Sequence, residues 1–180
     1  MSRNVSGQAY ALTVLTPIEH GREQALAEYL DELGDGDASP LARVPGTHLA
    51  RWVVIGQVKQ QKGQRRRDAL KAPRLLFTSN FDGPLDTYLE TLRTGLAGDA
   101  DAIWGNCPGY PGHQNAAAFS AWLRAHQIES ALFFGAYGEQ TVGEVHTNVA
   151  TRTELIDFAL DTRGLEPAAL KAQFLERFPA

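Results

Sequence analysis

Residues 103 to 113, IWGNCPGYPGH, place the chain's only cysteine six positions before a histidine, with Trp104 and Tyr110 on either side of the thiol. A thiolate next to an imidazole base is the minimum for nucleophilic catalysis, so Cys107 with His113 is one candidate pair, although no carboxylate or oxyanion partner is evident for it. Cys107 followed by proline is also a way of presenting a thiolate to haem iron. A third reading needs no thiol chemistry: proline stiffens this backbone and glycine bends it, so Trp104 and Tyr110 can form a lid over an apolar ligand. The same aromatics can equally fill the mouth of a sheet as a plug without chemistry.

A second cluster lies on two strand-like stretches. In THLARWVVIGQV, residues 47 to 58, strict alternation puts His48, Ala50, Trp52 and Val54 on one face and Leu49, Arg51, Val53 and Ile55 on the other. A histidine beside a tryptophan can line a pocket, and each can also serve packing alone. In SNFDG, Asn80 and Asp82 stand where a strand ends and a helix begins; they are good turn and capping groups, and Asn80 becomes a site residue if it shares a cavity with His48. The candidate ligand-binding set is therefore His48, Trp52, Asn80, Trp104, Cys107, Tyr110 and His113, with no catalytic residue assigned. His126 falls on the apolar stripe of a helix and reads as structural.

Several chemistries are set aside. HExxH, paired CxxC and His-x-His are absent, so no metal site is expected; the aspartates of GDGDASP lack the glutamate that closes a calcium loop. GxGxxG, the GxxxxGK phosphate loop and GxSxG are also missing, which removes nucleotide-dependent chemistry and serine hydrolysis.

The elements that must carry these residues can be read from periodicity. Gln8 to Leu15 alternates as a first strand, and TPIE then looks like a helix start, with Thr16 as cap, Pro17 in the first position and Glu19 closing a capping box. Leu26, Tyr29, Leu30 and Leu33 continue that helix to Gly34. Strands follow at 47 to 58 and at 74 to 81, and Asp82 or Gly83 can cap a helix with Pro84 in its first turn and Leu85, Tyr88, Leu89, Leu92 and Leu96 buried. After the loop come a helix through Phe119, Trp122, Leu123 and His126, then the apolar run ALFFGAY, residues 131 to 137, as a fourth strand. A capping box at TVGE opens a helix through Val142, Val145, Val149 and Ile156, and Pro167 opens a last one with Leu170, Phe174 and Phe178 inward. The expected fold is α+β: a ferredoxin-like βαββαβ core with an inserted loop and helix and a C-terminal helical tail, in a single domain over residues 1 to 180. A parallel, flavodoxin-like sheet fits less well, because the short step between strands two and three suits a hairpin.

At 180 residues, 43% hydrophobic, the chain can bury a genuine core, and a formal charge of -4 with pI near 5.7 gives no general attraction to nucleic acid or anionic lipid. One cysteine forms no internal disulfide; with no apolar core at the N-terminus and no run long enough to span a membrane, a cytoplasmic protein is expected. Seven of the seventeen Lys and Arg residues cluster from Lys59 to Arg74, read as a solvated hairpin arm or a contact for an anionic partner.

Four stretches, SPLARVPGTHLARWVVIG, LLFTSNFDGPLDTYL, AIWGNCPGYPG and the helix with FSAWLRAH, resemble an uncharacterised bacterial family and, through it, the dimeric α+β barrel superfamily, over most of residues 9 to 160. That resemblance implies two ferredoxin-like units pairing their sheets around a cavity. It leaves function open, since the superfamily holds haem enzymes, cofactor-free monooxygenases and small-molecule isomerases. The expectation drawn from both lines is a homodimer with strand two near its interface, binding a small apolar or aromatic molecule without a cofactor, with catalysis left open. Haem held by His48, Cys107, His113 or His126 is one alternative. An RNA-binding module is the other, weakened because RLLFTSNF lacks the Lys/Arg, glycine and aromatic pattern of RNA recognition motifs.

Overall fold

The computed structural model describes residues 9–58, 62–65, 69–134 and 140–179. The chain divides into two compact units, residues 1–142 and 143–180.

The first unit is built on an antiparallel sheet of β1 (Ala9–Pro17), β2 (Thr47–Ile55) and β3 (Arg74–Asp82) in the order β1-β3-β2. Four helices belong to it: α1 (Glu23–Glu32), α2 (Leu85–Leu96), α3 (Gly98–Trp104) and α4 (Ala116–Ala125). On β3 alternation is complete, with Leu75, Phe77, Ser79 and Phe81 buried and the residues between them half-buried. Leu12 and Val14 of β1 and Ala50, Trp52 and Val54 of β2 share that side, and α1 to α4 add Leu26, Leu89, Leu92, Ile103, Phe119 and Leu123 to the same core. Each such fully buried apolar side chain contributes about 1.5–3 kcal/mol, and all four helices lie on this one face.

Where four strands were expected, three are found among the described residues. Of the apolar run at 131 to 137 expected as the fourth, residues 131–134 carry no strand, with Leu132 87% and Phe134 83% exposed, and 135–137 lie outside the described residues. The free edge of β1 instead meets the chain earlier, in a single antiparallel bridge between Val14 and Gln127, where Leu15 N donates to His126 O at 3.0 Å and Ile128 N to Thr13 O at 2.8 Å. Apolarity marks a segment that wants burial, but a strand also needs a ladder to join.

Two expected helix starts move as well. Thr16 and Pro17 end β1 rather than open α1: Thr16 is fully buried and donates to Leu75 O at 3.4 Å, while Pro17 closes the strand opposite Arg74. A strand's last position tolerates the missing N–H. Glu19 pairs with Arg22 at 2.8 Å, and α1 begins only at Glu23. Likewise Asp82 ends β3, and Pro84 takes the cap position of α2.

Gly95 sits in α2 against the turn Pro40–Arg43. A Cβ there would come 2.6 Å from Arg43 O, and Arg43 Nε donates to Gly95 O at 3.0 Å. Alanine for glycine inside a helix ordinarily gains about 1 kcal/mol. Here the backbone contact decides the sign, and Gly95→Ala is expected to destabilise by about 1–3 kcal/mol in urea unfolding. A raised midpoint would mean the turn is not seated on α2.

The second unit is a helical pair formed by α5 (Val142–Asp161) and α6 (Pro167–Arg177), with α5 beginning directly after Thr141 as the TVGE box predicts. Phe158 packs against Phe174 and Phe178 at ring distances of 5.7 Å each. Among the described residues no helix is long and apolar enough to cross a membrane.

Candidate functional site

The aromatic residues of the 103 to 113 stretch turn inward. Trp104 is not in a loop but ends α3, fully buried, its ring 5.5 Å from Phe77, 5.9 Å from Phe119 and 6.2 Å from Trp52. Tyr110 continues the cluster, 5.3 Å from Trp122 and 6.5 Å from Trp104. Trp104 is thus part of the core, and the half-buried Trp52 and Tyr110 pack against it.

Cys107 is buried, with its Sγ 3.2 Å from Thr16 Oγ1. Burial pushes the thiol up, the Thr16 hydrogen bond offsets this in part, and the charge of Glu19 adds to it. A thiol held protonated inside the core is the reverse of an activated nucleophile. His113 bonds elsewhere. Its Nδ1 lies 2.7 Å from Asp101 Oδ2 and its Nε2 2.7 Å from Gln114 Nε2, so both ring nitrogens are engaged away from the thiol.

Asp101 is the clamp of this segment. Besides the His113 ring it accepts from Tyr110 Oη and His113 N, both at 2.9 Å. Partial burial raises its pKa, but the hydrogen bonds from His113 and Tyr110 together prevail and hold the carboxyl below the usual range. A carboxyl depressed in the folded state stabilises fully above the unfolded pKa of about 3.9, and that contribution drains as pH falls through the folded value. Asp101→Asn should therefore cost about 1–2 kcal/mol at neutral pH. The gap to wild type should narrow toward pH 3 in amide exchange of residues 105–114, and a gap independent of pH would contradict the clamp.

The remaining candidates lie on the sheet's other face. Register shifts between Thr47, opposite Phe81, and Leu49, opposite Asn80, so one extra residue, His48, is bulged out of the ladder. This overturns the shared face read for His48 and Trp52, because a bulge inverts the alternation on one side of it. Thr47 faces the core, where its hydroxyl lies 3.2 Å from Tyr88 Oη, while His48 Nε2 lies 2.7 Å from Asp82 Oδ1. Asp82 has the parity of Asn80, Thr78 and Leu76. Leu49, Arg51, Thr78 and Asn80 of this face, with the backbone-adjacent Ala50 between them, line a cavity of about 470 Å³, and Arg51 Nε donates to Thr78 Oγ1 at 3.2 Å. Leu49 is 72% exposed and Val53 40%.

The seven candidates thus separate. His48 and Asn80 share the sheet's second face; Trp52, Trp104, Cys107 and Tyr110 belong to the core, and His113 is tied to Asp101. Of the four candidate iron ligands, His48 bonds Asp82, His126 Nδ1 donates to Trp122 O at 2.9 Å, and none lines the 470 Å³ cavity. Asp101, twelve residues from His113, was missed, and no spacing rule joins the two. Arg51 and Thr78 were legible as neighbours only once strand register was known. Comparison with protein-family models, with curated proteins and with solved structures finds no match to the chain.

Proposed function

We propose that the protein is a homodimeric α+β barrel of ferredoxin-like topology that binds a small aromatic or apolar molecule bearing a carboxylate on the second face of its sheet. The topology is supported by the bridge at Gln127: with that segment as fourth strand the order becomes 4-1-3-2, the ferredoxin-like arrangement. The observation that carries the binding reading is the 470 Å³ cavity, where Arg51 and Asn80 stand beside the exposed Leu49. Arg51 gives one N–H to Thr78 and keeps the rest of its donor fork for an anion, Asn80 offers an amide, and Leu49 supplies apolar contact. The His48–Asp82 pair stands on the same face of the sheet. The reading assigns binding and no reaction.

The homodimer is supported by β2, an edge strand of nine residues without proline that displays Leu49 and Val53. Such an edge invites a partner, and a second copy brings the same one.

Benzoate is the probe. Titrated to millimolar concentration, it should shift the amide resonances of Leu49, Arg51, Thr78 and Asn80 with saturation, and Arg51→Ala should weaken binding about tenfold. Light scattering at tens of micromolar should give a mass near twice 19.6 kDa. A monomer mass, or benzoate shifts scattered over other residues, overturns the reading. A Soret change on adding haem, or salt-sensitive RNA retention lost when Arg65 to Arg67 become alanine, would assign one of the other ligand classes instead.

A further inference from the structure

Helix α5 is apolar on two opposite sides. At 100° per residue, Val145, Val149, Ile156 and Leu160 fall within about 60° of one another, and Phe158 stands on the far side of the helix. The Phe158 side is taken by Phe174 of α6 and by Phe178. The Val149 side is left to solvent: Val149 is 57%, Ile156 44% and Leu160 49% exposed. A helix of 20 residues with eleven-residue α6 on one side has a second seam for which this unit supplies no cover.

Three features of that seam point to its occupant. Val142, Val149 and Ile156 repeat every seven residues, the spacing of a helix meant to lie along another helix. The seam is bordered by Arg152 on one side and Asp157 on the other, five residues apart. In a parallel two-helix pair, opposite flanks meet at that offset, so each copy's cation reaches the other's anion. The exposed apolar area of the stripe, on the order of 300 Å² per copy, falls well short of the roughly 800 Å² per partner of a stable interface. It therefore adds to a contact made elsewhere and cannot hold a complex alone.

We infer that α5 of one copy lies parallel to α5 of a second copy, with Val149 and Ile156 in the seam and Arg152 meeting Asp157 of the partner subunit. The inference rests on the homodimer proposed above, because the seam is too small to create one.

A single cysteine at the seam reads it directly. In Val149→Cys the two thiols face each other across the two-fold axis, so a short bismaleimide should yield a covalent dimer; wild type, whose Cys107 is buried, should not. Adding Arg152→Asp should slow cross-linking roughly tenfold, and adding Asp157→Arg to that should restore it. Light scattering of each variant separates the two failures. A dimer mass without cross-linking, as when α5 docks on its own chain, overturns the seam and leaves the sheet contact standing; a monomer mass overturns both. Cross-linking that ignores the charge reversal, or is not restored by the swap, overturns the parallel register.

Discussion

Trp104→Ala should remove about 3–5 kcal/mol of unfolding free energy, a large share of the roughly 5–15 kcal/mol that a domain of this size has to lose. Trp104 is fully buried and its ring meets Phe77, Trp52, Phe119 and Tyr110, so truncation empties the junction between the sheet and α3 and α4. The surroundings cannot close that space, because the 105–114 segment is pinned from outside by Asp101 and by Arg93 Nη1, which donates to His113 O at 3.0 Å. Urea unfolding and near-ultraviolet circular dichroism report the loss. Trp104→Phe sharpens the test: the Trp104 indole N–H is buried with no partner among the described residues, so phenylalanine gives up volume but no hydrogen bond. It should cost less than half as much as alanine. If Trp104 were instead a lid over ligand, both variants would unfold as wild type does and only binding would change.

The same residue shows why the stretch around it was hard to read. Glycines and prolines announce a fixed loop, but they do not say which way its aromatics point. Leu96, Ala100, Ile103 and Cys107 are all buried at helical spacing, which continues the period of α2 into α3. The aspartates of GDADAIW also suit a first turn, where negative charge meets the helix dipole. Against this, Gly98 and the aspartates themselves look like loop. Ala97 settles the competition by taking a positive φ of 45° with ψ −113°, a conformation that breaks the backbone between two helices sharing one buried side.

Where burial is one-sided and uninterrupted, the pattern was sufficient. The stripe Tyr88, Leu89, Leu92 and Leu96 of α2 is buried as its spacing requires, and β3 alternates without exception. The bulge at His48 left no such mark, since inserting one residue changes no composition and only inverts parity upstream. That inversion moved His48 from the side of Trp52 to the side of Asp82. Pairings distant in sequence, such as Asp101 with His113 or Arg51 with Thr78, depend on register and loop path and are not written in any local period.

The two faces of β2 make opposite demands on an introduced charge, and Trp52→Arg against Leu49→Arg is the sharpest way to separate them. Trp52 packs on the core side, 5.1 Å from Phe77. A guanidinium there has no carboxylate among its ring neighbours Phe77 and Trp104, so the charge is buried uncompensated or the strand pulls away; either costs about 3–5 kcal/mol. Trp52→Arg is therefore expected to lose its cooperative transition or to unfold at markedly lower urea, whatever the assembly state. Leu49, 72% exposed on the opposite side, leaves an arginine fully solvated within a single copy. Leu49→Arg should keep the urea midpoint of an isolated copy but set two cations against each other wherever two β2 strands meet, shifting light-scattering mass from twice the chain toward 19.6 kDa. If Leu49→Arg keeps the dimer mass, β2 is not at the interface; if Trp52→Arg folds as wild type and merely dissociates, the core side has been placed on the wrong face of the sheet.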